Sequence, residues 1–529
     1  MTTVSSLSSL TSSMSTPATR ALAGATALPA DTSAPAGGTV TLSQSGASAA
    51  AAMDAMQSMQ PRESNVLTWE TKSNDAVTAL MTANYGAQQL SGRFQGVGAA
   101  LLNRLGTDGS DFSQSLLQSS PGARAGAQAT ALDALTRNAL HGAAANQISL
   151  DIKTADGIKV TLTLGSQDQG MAVQIKSSGK LSDADRGALA QLADAFQGAI
   201  DGIGAVPPKL DLDGLTQYNP ALLSSVDLHA QVQLGGAQPQ TIDFHADSSQ
   251  RSVSSEGPQG SVKISVDLSH LGNLGNARQR QSAMDAYLTQ FSQAGSRGKA
   301  NAATLTLFKD AFQQMNSDLP QQHADAAQPL ALRPGEHAML SGLADFSASM
   351  TDNASSPNPM RPGESDTYAY QATQATAIGG HGALDRTLSQ KQSAHLDASF
   401  HEALSADTPL ALDNTRQSQN YYYKQISDDA SSDAELGYSK GVLAKASLQQ
   451  AASQSTRVSK YVMGQLTEDT TTPVTATVVH DLLGLLEDTQ KKTEQTPQAI
   501  AQRAQALTAI HGSVLLQADP SQLRARLGQ

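Results

Sequence analysis

Residues 148–164 read ISLDIKTADGIKVTLTL, and the fold is decided there. Ile148, Leu150 and Ile152 alternate with Ser149, Asp151 and Lys153; Ile158, Val160, Leu162 and Leu164 then alternate with Lys159, Thr161 and Thr163. A period of two places successive side chains on opposite faces of a strand. Asp156-Gly157 between the two runs is a favoured two-residue hairpin turn, because both residues tolerate positive φ. Met171, Val173 and Ile175 repeat the pattern after a short glycine-bounded loop. One apolar and one wet face per strand means an antiparallel sheet covered on one side.

The cover follows in the chain. Ser182 to Asp185 resembles a capping box, and Leu189, Leu192, Phe196 and Ile200 mark one helical face behind it. A second set of alternating runs comes next: Val226, Leu228, Val232 and Leu234; Ile242 and Phe244; Val262, Ile264, Val266 and Leu268. Helical spacing returns with Met284, Tyr287, Leu288 and Phe291, with Leu305, Phe308, Phe312 and Met315, and with Met339, Leu340, Leu343 and Phe346. Runs of hairpins followed by helices, rather than alternating βαβ units, give an α+β class: antiparallel hairpin sheets covered by helices.

The same reading divides the chain. Residues 1–62 form a Ser/Thr/Ala-rich leader with a short Met-striped helix (Met53, Met56, Met59), and 63–145 a helical region. Residues 146–350 form the α+β domain, and 351–366, rich in Pro, Ser and Asn, a linker. A second β-containing region spans 367–470, mostly extended from Tyr421 to Tyr461, and helices close the chain over 471–529. Residues 388–404 fit both periods, since Leu396, Phe400 and Leu404 suit a helix while Leu396, Ala398 and Phe400 suit a strand.

Composition narrows the function classes. The 529-residue chain has no cysteine, which excludes disulfides, thiolate metal sites and cysteine nucleophiles. A net charge of −12 argues against general nucleic-acid binding. No apolar run reaches the ~18 residues that a membrane helix needs, so no membrane insertion is expected. Twelve of the first twenty residues are Ser or Thr, and no acidic residue precedes Asp31. Ordering one residue costs about 1–2 kcal/mol, more than a buried alanine methyl returns, so residues 1–46 are expected to be disordered. In these respects the first thirty or so residues resemble the uncleaved export signals of bacterial type III and flagellar substrates. That resemblance implies a protein secreted without a cleaved signal peptide.

A search for chemistry leaves little. Gly96-Val-Gly-Ala-Ala100 lacks the preceding strand and third glycine of a dinucleotide loop. His401-Glu402 lacks the second histidine of a zincin helix, and Asp211-Leu-Asp213-Gly214 places Pro220 where a calcium loop needs Glu. One constellation stands out. If residues 226–234 and 241–246 pair as a hairpin, Asp227, His229, Asp243 and His245 share a face, with His229 opposite His245 or Asp247. Such a set suits an open zinc site, but the solvated side of a one-sided sheet accounts for the same residues. Tyr421-Tyr-Tyr423 is the only aromatic cluster; its acidic surroundings disfavour phosphate, and strand packing with hydroxyls reaching water is expected.

No residue is therefore assigned a catalytic, cofactor-binding or metal-ligating role, and no cofactor is expected. The sequence points to a non-enzymatic, exported bacterial protein acting through contacts with a protein partner. An enzyme or ligand-binding protein with a site built from scattered residues is one alternative, and an intracellular scaffold or assembly factor the other.

Overall fold

A computed structural model describes residues 67–525, apart from 72, 119–133, 168–169, 235–237, 320–331, 383, 408 and 492–495. The leader and its Met stripe lie outside the described residues. The described residues belong to one compact unit. Its strands, in chain order, are β1 (Leu67–Trp69), β2 (Phe112–Gln118), β3 (Asn146–Thr154), β4 (Lys159–Gln167), β5 (Gly170–Ser177), β6 (Leu223–Val232), β7 (Gln240–Asp247), β8 (Gln250–Gly257), β9 (Gly260–Asp267), β10 (Asp345–Ser355), β11 (Asp366–Gly379), β12 (Thr387–Ala403), β13 (Tyr421–Ser439), β14 (Val442–Val462) and β15 (Gln465–Asp481). All fifteen join one sheet in the order β1-β2-β5-β4-β3-β6, after which each strand pairs antiparallel with its successor to β15.

The alternation read from residues 148–164 produces β3 and β4, with Ile148, Leu150, Ile152, Val160, Leu162 and Leu164 all buried on one side. The turn differs from the expected one. Lys153 pairs with Lys159 and Ile152 with Val160, so the loop is longer than Asp156-Gly157 alone. A two-residue turn would have paired Ile152 with Thr161, turning one strand's apolar face outward. Thr154 closes the longer loop instead, its hydroxyl accepting from the Ile158 N–H at 3.0 Å, with Gly157 at φ 87°.

Helices cover that apolar side. The capping box at Ser182 and Asp185 opens α1 (Asp183–Gln191), and α2 (Ala193–Ile203) sets Phe196 and Ile200 into the core. Farther along, α3 (Ala277–Gly298) and α4 (Ala302–Asn316) bring Tyr287, Phe291, Phe308 and Phe312 against Phe346 and Tyr370 of the sheet. Phe291 stands 4.7 Å from Phe308 and 5.0 Å from Phe312, ring centre to ring centre. Phe346 does not continue a helix with Met339: that helix, α5, stops at Pro334–Ala338, and Phe346 packs from β10. The region 63–145 is likewise not wholly helical, because β1 and β2 extend the sheet past β5. β2 hides from periodicity because its buried residues, Gln114, Ser115 and Leu116, are consecutive.

Residues 351–366 contain the end of β10 and a turn held by Asn358; on either side β10 and β11 pair directly. Residues 388–404 resolve as strand, with Leu396, Ala398 and Phe400 buried on the helix side. The C-terminal helices are present as α6 (Leu483–Lys491), α7 (Pro497–Val514) and α8 (Pro520–Ala525). Val514 ends α7, and residues 515–519, neither helix nor strand, then run over β12–β14 to α8. Side-chain amides hold their backbone: Gln392 donates to the Val514 carbonyl at 2.9 Å, Gln450 to Leu515 at 3.0 Å and Gln290 to Leu516 at 2.6 Å. The Ser432 hydroxyl also donates to Val514, at 2.8 Å.

The sheet ends at β15, whose outer edge is guarded. Pro473 sits mid-strand opposite Ser455 and, having no N–H to give, must turn its nitrogen away from β14. Arg524 of α8 donates to the Thr475 carbonyl, while Arg457–Asp469 and Lys460–Glu468 pairs place charge along the strand. Charge and proline on an outer strand discourage pairing with another chain.

Candidate functional site

The helix Ala134–Gly142 packs over β2, β4 and β5 on the other side of the sheet, with Leu140 against Gly165 and Gly170 and His141 3.5 Å from Ser113. From β3 and β6 onward that side is largely open, and its side chains form transverse rows. One row crosses fourteen strands from β2 to β15. It begins Ser113, Gln174, Thr163, Ser149 and continues through His229, Asp243, Ser254, Lys263 and Ser349. It ends with Gln371, His395, Asp429, Ser453 and Thr475. Every member is polar. The face is hollowed into a cleft of about 570 Å³ over β3 and β6–β11 and a second of about 520 Å³ over β11–β15, and Gln371 lines both.

The four residues singled out in the sequence lie inside the first cleft, but their register differs from the expected one. β6 and β7 pair Leu228 with Phe244 and Ala230 with Ile242, which sets His229 opposite Asp243 and Asp227 opposite His245. Each imidazole therefore meets a carboxylate rather than another imidazole. His229 Nδ1 lies 2.6 Å from Asp243 and His245 Nδ1 2.6 Å from Asp227, while His245 Nε2 lies 3.2 Å from Asp247. Burial alone would lower the His245 pKa, but the Asp227 and Asp247 carboxylates outweigh it and the ring ends above its ordinary value. A third pair, His395 with Asp429 at 2.7 Å, repeats the arrangement in the second cleft. Half-exposed pairs of this sort add little stability. Among the described residues, no three His, Asp or Glu side chains form a group that could hold a metal ion. No helix there is long and apolar enough to cross a membrane.

Other groups on the face are unspent. Lys263, Gln371, Ser254 and Ser349 have side chains that make no hydrogen bond within the described residues. Buried polar groups on the helix side contrast with them: Gln374 donates to the Leu343 carbonyl and Gln390 to the Thr376 hydroxyl. In the sequence each open position is visible as the polar half of an alternation. Their alignment across strands is not, because it depends on registers between distant segments.

At one end of β12–β14 the open side is covered, and there the tyrosine cluster lies. Tyr421, Tyr423 and Tyr461 form a small core with Leu410 and Leu412. The Tyr421 hydroxyl does not reach water; it donates to Glu364 at 2.6 Å and accepts from Asn358 at 2.7 Å. His401, which the sequence offers only as half of a metal motif, pairs in register with Tyr423. Its Nδ1 is 2.7 Å from Asp366 and its Nε2 3.6 Å from Glu364, with the side chain fully buried. Burial disfavours its charge, but the two carboxylates prevail and its pKa rises to about 9.

A histidine raised above its ordinary value near 6.5 stabilises the fold fully below that pH, and the contribution fades as pH climbs through 9. Stability should therefore fall by roughly 3 kcal/mol between pH 6.5 and 9.5. Urea titrations across that range check this, and His401→Gln should flatten the profile. A wild-type profile already flat would refute the assignment.

No protein-family model matches the chain, and no curated protein or solved structure does either.

Proposed function

We propose that the chain is a non-enzymatic binding protein whose working surface is the open side of the sheet. The observation that carries this reading is the all-polar row crossing fourteen strands, hollowed into two clefts that meet at Gln371. A domain folded only for stability needs one covered side, and nothing in that requirement calls for a continuous hollow on the other. The His–Asp pairs suit recognition better than catalysis. Their Nδ1 atoms are all occupied by carboxylates, and His245 Nε2 faces Asp247 instead of a nucleophile. With an N-terminal leader of export type, such a protein would meet its partner outside the cell that makes it.

Photo-crosslinking tests the reading whatever the partner is. A diazirine-bearing residue at Ser347, exposed within the first cleft, should give a specific adduct in the producing bacterium or its medium. The same residue at Gln498, exposed on α7, should not. Adducts from Gln498 alone, or from neither position, would overturn the proposal.

A further inference from the structure

We infer that the occupant of the open side is a linear glycan of low charge, lying across the strands. The inference rests on that side being the binding surface and goes on to its chemistry. Adjacent strands stand about 4.8 Å apart, so the eleven strands spanned by the two joined clefts make a groove about 48 Å long. A groove of that shape suits a chain rather than a compact ligand.

Its charge excludes some chains. Asp151, Asp227 and Asp243 line the first cleft and Asp429 the second, while Lys263 is the one lysine or arginine among the described residues lining either. A nucleic acid or sulfated polymer, which depends on clustered Lys and Arg, would be repelled. Protein interfaces are anchored by large buried side chains such as Trp, Tyr and Arg, and none of these lines the clefts. A lipid surface calls for exposed apolar side chains, which the row does not offer.

What the row offers is hydrogen bonding, repeated from strand to strand. Gln371, Ser254, Ser349 and Lys263 keep free polar groups, and the paired carboxylates retain lone pairs beyond those given to the imidazoles. Sugar hydroxyls donate and accept alike, so they match such a mixed strip without any net charge. Each contact is weak, and affinity comes from many made together along one polymer.

Affinity electrophoresis of the full chain tests this, in gels containing dextran, laminarin, hydroxyethyl cellulose or galactomannan. Gels containing heparin or single-stranded DNA serve as polyanion comparisons. At least one neutral glycan should retard the protein. The double change Gln371→Ala with Ser254→Ala removes side chains that bond to nothing within the described chain, and it should weaken retardation about tenfold. No retardation by any of the four, retardation by polyanions only, or retardation that the double change leaves untouched would overturn the glycan assignment. A protein adduct from Ser347 alongside a failed glycan screen would keep the binding surface and discard its proposed occupant. Failure at Ser347 would remove both.

Discussion

A chain ending at Ser513 should fail to give a cooperatively folded protein. The deletion removes Val514, Leu515, Leu516 and Leu523, exposed by 0%, 6%, 3% and 0% respectively. At about 1.5–3 kcal/mol for each buried side chain, the loss is roughly 6–12 kcal/mol. Native domains are stable by only about 5–15 kcal/mol in total. The polar side of the contact points the same way, because the buried Gln290, Gln392, Ser432 and Gln450 would each lose a bond to the backbone that the deletion removes. Thermal melting followed by circular dichroism checks the expectation. A truncated chain that melts in one sharp transition within a few degrees of the full-length protein would contradict it. Gln392→Ala, which removes both of its bonds to the strap but keeps the leucines, should cost less, about 1–3 kcal/mol.

The second large effect concerns an ion pair deep in the structure. Arg386 donates to Glu336 at 2.9 Å, and the two side chains are 5% and 1% exposed. Glu336 also accepts from the Arg333 N–H at 2.6 Å, so its carboxylate both caps α5 and ties that short helix to the start of β12. Arg386→Met would strand a buried carboxylate, at a cost of about 3–5 kcal/mol. Changing both partners, Arg386→Met with Glu336→Leu, removes the charge along with its partner and should recover most of that loss. Urea denaturation of the two single variants and the double measures the difference. Equal destabilisation in the double and Arg386→Met would mean that the stranded carboxylate is not the source of the loss.

Much of the first half of the sheet is legible in the sequence because its interior is aliphatic. Between Ile148 and Ile175, and again from Val226 to Leu268, β3–β6 and β9 bury chiefly Val, Ile and Leu at their inward positions, and the apolar residues alternate with polar ones. The second half is blurred for a physical reason. β12–β14 face a strap of bare backbone, so their inward positions include Gln392, Ser432 and Gln450 with small alanines. A polar interior erases the contrast on which periodicity depends, and it leaves residues 388–404 ambiguous between helix and strand. Membership of one sheet is hidden as well. It depends on β3 pairing with β6 and β9 with β10, across segments far apart in the chain. Alternation alone puts Asp227, His229, Asp243 and His245 on one face, yet it sets His229 opposite His245 or Asp247, two or four positions beyond its true partner Asp243. The reach of the row to Thr475 has no local signature at all.

From β7 to β14 every strand lies between the one before it and the one after it in the chain. Tension applied at the C-terminal end, once the final helices have come away, would reach β15 first and then each earlier strand in turn. Because successive strands run in opposite directions, the load would open each ladder from one end, one bond at a time, rather than shearing a whole strand at once. The run from β6 to β15 would thus yield to a pull from its C-terminal end strand by strand, in the reverse of chain order.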